Sequence, residues 1–240
     1  MAYDKAQSGY VHSMYTGGMV DGPGIRTVVF FSGCSLRCLY CHNPDTWFRK
    51  RGNKMTVAEV LDEVIKYKSY YKHSNGGITI SGGEPVDQPD FLLELLKGCR
   101  ENGVHTAIDT VGCTTEDIME EILPYVDLLM LDIKTYNPKQ FMRITGQRMD
   151  KTMSTLAVAE ALKVPTWIRY VLVPGLSDDL DDISKLASFL KQHNNIEKIE
   201  VLPFHKKGEY KWKDLGLKYE LYDTQPPTVE QVEAARKIFM

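Results

Sequence analysis

Short apolar runs rich in β-branched residues alternate with amphipathic stretches along nearly the whole chain. The runs fall at 27–31, 78–81, 105–109, 128–133, 166–173 and 198–202, and each reads as a buried strand. One helix starts at the capping box Thr56-Val57-Ala58-Glu59 and extends to about Tyr71. Further helices are expected over 91–102, 114–123, 149–162 and 179–193, and a last one from Thr228, where Thr-x-x-Gln supplies a cap. Such alternation dictates parallel βαβ units with right-handed crossovers. Six repeats are too few to close an eight-fold barrel. The expected fold class is α/β, a partial (β/α)6 barrel of mostly parallel strands. A chain of 240 residues, 43% of them hydrophobic, is long enough for one buried core. With no linker, repeat or low-complexity tract, a single domain over 1–240 is expected.

Charge and composition narrow the function classes. The formal net charge is −3, so bulk electrostatics does not point to nucleic acid. The N-terminal stretch MAYDKAQSGYVHSMYTGG does not resemble a signal peptide, and no apolar run is long enough to span a bilayer. The expected location is cytoplasmic. Five cysteines in such a chain read as metal or redox ligands and not as a disulfide framework. Cys99 and Cys113 stand alone in the sequence and read as small core residues.

The other three cysteines are grouped. Cys34, Cys38 and Cys41 lie in GCSLRCLYCHN with spacing C-x3-C-x2-C and no fourth cysteine nearby in sequence. An iron–sulfur cube usually takes four thiolates, one per iron. Three leave one iron open, and an open metal position is where chemistry happens. Tyr40 places an aromatic ring immediately before the last cysteine. A structural zinc site, with His42 or another residue as fourth ligand, is the competing reading.

Ligands of parallel α/β folds bind at the carboxyl ends of the strands. The polar motifs follow that rule. The cysteine loop follows the first strand and Ser81-Gly82-Gly83-Glu84-Pro85 the second; Asp109-Thr110 ends the third. Asp132 and Lys134 end the fourth, Arg169 lies within the fifth with Pro174-Gly175 beyond it, and Pro203, Phe204 and His205 follow the sixth. Paired glycines let backbone approach a ligand and adopt positive φ, although Gly-Gly is also a common turn. Lys134 and Arg169 are cations beside apolar strands, which need a carboxylate or a ligand to face. The segment 205–218 mixes five lysines with Tyr210 and Trp212. It reads as a solvated loop, with nucleic-acid binding, or docking of a protein substrate or acidic electron carrier, as the other options.

Together these motifs resemble those of the radical S-adenosylmethionine (SAM) superfamily. The C-x3-C-x-aromatic-C loop resembles its cluster loop, and SGGEP its GGE motif. Asp21-Gly22-Pro23-Gly24-Ile25-Arg26 resembles the DGPG-(I/L)-R signature of glycyl-radical-enzyme activating proteins. The resemblance runs from Asp21 to His205. It implies a [4Fe–4S] cluster on Cys34, Cys38 and Cys41 and SAM as cosubstrate, with the open iron chelating SAM's methionine. It implies a cosubstrate pocket from Tyr40, Cys41, His42, Gly82, Gly83, Glu84, Asp132, Ile133, Lys134, Arg169 and His205. Asp109, Thr110, Met130 and Asp132 match positions that hold a monovalent cation in relatives, and Asp21 matches a contact to the incoming peptide. The implied reaction, with Lys134 counted among its catalytic residues, is reductive SAM cleavage followed by hydrogen abstraction from a glycine of a partner enzyme. No cysteine occurs between Asn43 and Asn75, where several activating enzymes carry a ferredoxin-like insert. The chain thus resembles the compact subtype whose best-known member acts on pyruvate formate-lyase, and that enzyme is the implied partner, with flavodoxin or ferredoxin as electron donor. Activation of another glycyl radical enzyme, a small-molecule radical SAM reaction, and an iron–sulfur electron-transfer protein without SAM chemistry are the alternatives.

Overall fold

The protein is described over residues 3–240 by a computed structural model; the first two residues of the N-terminal stretch fall outside the described residues. Its sheet runs in the order β3-β1-β2-β4-β5-β6-β7-β8. The six expected strands are β2 (Arg26–Phe31), β4 (Gly77–Gly82), β5 (His105–Thr110), β6 (Leu128–Asp132), β7 (Thr166–Leu172) and β8 (Ile196–Pro203). Each is parallel to its neighbour. Strands β3 and β8 form opposite edges, so the barrel is open, as expected.

Two strands depart from the expectation. β1 (Ser8–Gly18) pairs antiparallel with β2, and β3 (Asn53–Thr56) antiparallel with β1, making an eight-stranded mixed sheet. β1 carries no strand signature in the sequence for a physical reason. Its sequence SGYVHSMYTGG has little apolar content, its second half alternates exposed with half-buried positions, and irregularities between Val11 and Ser13 and between Thr16 and Gly18 break the two-residue period.

The helices are α1 (Val57–Val64), α2 (Lys68–Ser74), α3 (Pro89–Glu101), α4 (Glu116–Ile122), α5 (Pro138–Thr145), α6 (Asp150–Ala161), α7 (Leu180–Leu190), α8 (Glu209–Asp214) and α9 (Val229–Phe239). Both capping boxes form, at Thr56 with Glu59 and at Thr228 with Gln231. The single helix expected from Thr56 to Tyr71 is broken by a 3-10 turn at Ile65–Tyr67. The break lets Tyr71 reach beneath the sheet, where its hydroxyl meets the Thr27 hydroxyl at 2.5 Å and donates to the Val64 carbonyl. Helices α5 and α8 were not expected. Among the described residues no helix is long and apolar enough to cross a membrane.

Side chains alternate across each strand. One set, including Val29, Phe31, Ile78, Ile80, Ile108, Leu129, Leu131, Ile168 and Tyr170, packs against the helices in one large core. Each such buried aliphatic or aromatic side chain contributes about 1.5–3 kcal/mol. The opposite set faces the barrel interior. Its deeper members, Ala107, Leu128 and Met130, form an apolar plug with Trp167. Its members nearer the strand ends are Phe30, Ser81, Asp109, Asp132, Arg169 and Leu202, and these line a cavity.

Candidate active site

The cavity has a volume of about 300 Å³. Cys34, Cys38 and Cys41 line it together with Tyr40 and His42 from the same loop. The loop is held by backbone bonds from several directions. Gly33 and Cys34 amides donate to the carbonyls of Thr46 and Trp47, and the Cys41 amide to the Cys38 carbonyl. Helix α5, capped by Asn137 with Pro138 at its first turn and ended by Gly146 in the left-handed region, supplies two more. Its last carbonyls, at Ile144 and Thr145, would lack intrahelical partners; they accept from the Leu39 and Arg37 amides at 3.0 and 2.8 Å.

Segment 205–218, expected to be a solvated loop, instead carries α8 docked on the cysteine loop. Trp212 is buried, stands edge-on to Trp47 at 5.0 Å, and donates its indole N–H to the Cys41 carbonyl at 2.9 Å. Lys211 binds Asn43 at 2.9 Å and Asp45 at 3.0 Å. The Trp at four residues beyond Gly208 was the available signal: a large aromatic in a polar stretch marks a packed anchor.

Burial raises all three thiols, Cys34 and Cys41 in direction and Cys38 up to about 12. Space brings in one cysteine that the sequence kept apart. Cys113 is buried with Leu36, Val111 and Phe141 beside Cys34 and Cys38. It does not line the cavity. Among the described residues no group of three or more His, Cys, Asp or Glu is close enough to hold one metal ion. A cubane presents a separate iron to each thiolate, so its ligands need not converge on one point. His42, the candidate fourth zinc ligand, points elsewhere: its Nε2 donates to the His205 carbonyl at 2.9 Å and its ring stacks on His205 at 4.1 Å.

The strand ends complete the cavity. Ser81, Gly82, Gly83, Glu84, Asp109, Thr110, Asp132, Lys134 and Arg169 all line it. The glycine pair serves a packing need. Gly82 has φ +112, and a Cβ there would sit 2.3 Å from the Phe31 nitrogen; one on Gly83 would sit 2.1 Å from the Gly33 carbonyl. Gly82 thus lies against the end of β2, and Gly83 against the start of the cysteine loop. Lys134 is buried, donates to Asp132 Oδ2 at 2.6 Å and lies 5.6 Å from the Tyr40 ring centre. Burial is the largest single influence and works against its charge, but Asp132, Tyr40 and Cys38 together outweigh it and hold its pKa well above the ordinary value. Asp109 acts in the same way on Arg169, at 3.0 Å, with Glu200 at 3.6 Å as a second partner. Asp21 reaches the same cavity from the β1–β2 hairpin, and burial, with Asp109 nearby, raises its carboxyl.

Three expected members are not brought to the cavity wall. Ile133 is in the core behind the sheet, because side chains alternate and its neighbour Asp132 takes the inward direction. Met130 lies one inward step below Asp132, in the plug. His205 is outside the lining, against His42. The remaining lining holds three buried polar atoms without a hydrogen-bond partner among the described residues: Asp109 Oδ1, Tyr40 Oη and Arg169 Nε, the last facing Glu200 at 3.6 Å. Buried polar groups are normally satisfied. A polar ligand of mixed charge fits these orphans, and the three thiols at one wall fit an iron–sulfur cluster.

Glu84 gives the cavity a measurable property. It is 1% exposed and accepts from the Thr110 hydroxyl and, at 3.0 Å, the Val111 amide. Burial pushes its carboxyl up to about 8 against the pull of these donors. A carboxyl raised in the folded state stabilises fully below the unfolded value near about pH 4.3, and that contribution is lost as pH rises towards the folded value. Metal-free wild type should therefore lose up to about 1.4 kcal/mol per pH unit relative to Glu84→Gln between about pH 5 and 8. Urea unfolding of both proteins measures it; a gap constant over that range would show Glu84 ionised throughout.

Comparison with known proteins agrees with this arrangement. Residues 28–189 match the family described as the Radical SAM superfamily. A Staphylococcus aureus protein named pyruvate formate-lyase-activating enzyme is 45% identical over 234 residues, 95% of this chain and 93% of the relative. Among solved structures, a domain of pyruvate-formate lyase-activating enzyme from Bacteroides vulgatus superimposes with a TM-score of 0.58 at 25% identity, over 68% of this chain and 92% of that one. Streptococcus suis SuiB bound to precursor peptide SuiA shares the fold, with a TM-score of 0.66 at 21% identity over 88% of this chain and 44% of that one.

Proposed function

Because the chain belongs to the radical SAM superfamily and, within it, to the family of pyruvate formate-lyase-activating enzymes, we propose that it generates a glycyl radical on pyruvate formate-lyase. The observation that carries the reading is one cavity walled by three cysteines on one side and by charged strand ends on the other. Enzymes of this family use a [4Fe–4S] cluster and SAM. When bound, these groups supply one electron to a sulfonium and a carbon radical able to take a hydrogen atom from a glycine.

The chain's own residues supply position and a dry wall. Cys34, Cys38 and Cys41 would hold three irons and leave the fourth to the cosubstrate. Burial keeps their thiols protonated in the metal-free protein, so loading must displace three protons. Lys134, Asp132 and Arg169 would meet the charged ends of SAM's methionine, and Tyr40 would wall the cavity. Glu84 ties the GGE loop to Thr110 and Val111. His42 and His205 would act from the margin as a stacked pair. Asp109, Thr110, Met130 and Asp132 are the proposed monovalent-cation ligands. Met130 would serve through its carbonyl, since its side chain packs in the plug. Asp21 would meet the substrate glycine's peptide. A single radical SAM domain over 1–240, in a cytoplasmic setting with flavodoxin or ferredoxin as donor, completes the proposal.

Anaerobic incubation of the reconstituted protein with SAM, reductant and pyruvate formate-lyase tests it. The expected electron paramagnetic resonance signal is a carbon-centred doublet on that partner. A doublet on a different glycyl radical enzyme, with none on pyruvate formate-lyase, would reassign the target.

A further inference from the structure

On a chain of net charge −3, residues 34–54 carry five Lys or Arg and one carboxylate, Asp45. That carboxylate is already engaged by Lys211 and His12. The cations are not scattered. Arg37 is exposed and donates Nη1 to the carbonyls of Cys34 at 2.5 Å and Leu36 at 2.6 Å. Its guanidinium lies 4.9 Å from the Trp47 ring centre. Arg49 lies against Gly33, the residue before Cys34, and donates to the Asp87 carbonyl. Lys50 and Arg51 follow on the same 3-10 turn, exposed. Neither has an ion pair or side-chain hydrogen bond among the described residues. Phe48, 46% exposed, immediately precedes this turn, with the Arg51 guanidinium 5.6 Å from its ring centre. Asp87, bonded to Ser35, is the acidic group at this margin.

The peptide side of the Cys34 loop therefore carries an apolar spot rimmed by cations, while its thiol side faces the cavity. That anatomy, an apolar centre with a charged rim, is that of a small interface. The cavity side must admit SAM and a glycine, so an electron has to enter the cysteine loop from another direction. The lysines of 205–218 are poorer candidates. Lys211 is bound to Asp45 and Lys206 to the Tyr222 carbonyl, and Glu209 and Asp214 dilute the rest.

We propose that the face formed by Arg37, Arg49, Lys50 and Arg51 around Phe48 docks a small acidic electron-carrier protein beside the cluster loop. The proposal rests on the cluster assignment made above. At the docked contact the reduced carrier gives up one electron and the cluster gains one; no bond forms or breaks and no leaving group departs. Local positive potential concentrates an acidic partner although the whole chain is acidic. Weak electron-transfer contacts are small, so a face of this extent suffices.

The test uses the reconstituted full chain, reduced flavodoxin as probe and the variant Lys50→Glu/Arg51→Glu. Neither residue touches the cavity. At about 0.01 M salt, where the screening length is about 30 Å, flavodoxin should bind the variant about tenfold or more weakly. Stopped-flow bleaching of the cluster absorbance by reduced flavodoxin should slow by a similar factor. Both differences should vanish at about 1 M salt, where the screening length is about 3 Å. Dithionite should reduce wild type and variant equally fast. Flavodoxin binding and bleaching unchanged at low salt overturn the proposal. So does a variant that bleaches normally with flavodoxin but binds pyruvate formate-lyase more weakly, since the face would then dock the substrate enzyme. Failure of the underlying function is separable: wild type reduced by dithionite would then release no methionine from SAM, whatever the carrier data.

Discussion

The Cys38→Ala protein is expected to fold, to retain little iron or sulfide, and to release no methionine from SAM above background. Cys38 is partly buried beside Leu36, Val111 and Phe141, and Cys41 N–H donates to its carbonyl, which alanine keeps. Removing one sulfur from that packing costs about 1 kcal/mol, well inside the stability of an ordinary domain. The two remaining thiols cannot replace it, because each already serves one iron and cannot ligate a second corner of the cubane. Cys113 supplies the control. It packs beside Cys34 and Cys38 but outside the cavity lining, and burial holds its thiol up at about 11. Cys113→Ala should therefore keep full iron and sulfide and full methionine release. Iron analysis, visible absorbance and anaerobic methionine assays on both variants decide. Undiminished cleavage by Cys38→Ala, or cluster loss in Cys113→Ala, would overturn the ligand assignment.

The contrast between those two cysteines shows what a sequence can carry. Spacing within one loop is local, so Cys34, Cys38 and Cys41 were legible as a set. Cys113 is far away in sequence and adjacent in space, and no local pattern reports that adjacency. The parallel strands are legible for the same reason: most are short, largely buried runs rich in apolar and β-branched residues, with polar groups at or just beyond their carboxyl ends, and only β8, at the edge, is mostly half-buried or exposed. β1 was not legible, because it is an edge-side antiparallel strand with one face half in solvent and its register broken twice. Within strands, alternation sorted Asp132 into the cavity and Ile133 into the core. Applied to each expected strand end, that rule would have found Phe30 and Leu202 and set Ile133 aside. Helix α5 carried readable signals, Asn137 before Pro138 and Gly146 at its end. Its role was not readable, since the carbonyls it offers to Arg37 and Leu39 are backbone groups without a sequence signature. Trp212 belongs to the same class: its aromatic identity is visible, but its bond to the Cys41 carbonyl spans 171 positions.

Lys134→Met should lower kcat/KM for SAM by about a hundredfold while the cluster stays loaded. A charge-assisted bond in a dry site is worth about 1.5–3 kcal/mol, and the upper figure corresponds to that factor. Two effects are superposed in the single variant. Lys134 partners Asp132 at 2.6 Å, so its loss strands a partly buried carboxylate as well as removing the proposed contact to the cosubstrate. Breaking a buried pair from one side typically costs about 3–5 kcal/mol of stability, whereas removing both charges is close to neutral. The double variant Asp132→Asn/Lys134→Met separates the two. It should recover most of the unfolding free energy lost in Lys134→Met, because no charge is left unpaired. It should not recover SAM affinity, because the cation that faces the cavity is still missing. Urea unfolding gives the first quantity, and equilibrium SAM binding to the cluster-loaded protein gives the second. If stability and SAM affinity return together in the double variant, Lys134 serves only to neutralise Asp132, and its place among the cosubstrate contacts is lost. If the single variant binds SAM as wild type does, the ion pair is structural and the methionine end of SAM must be held by Arg169 and the GGE loop alone.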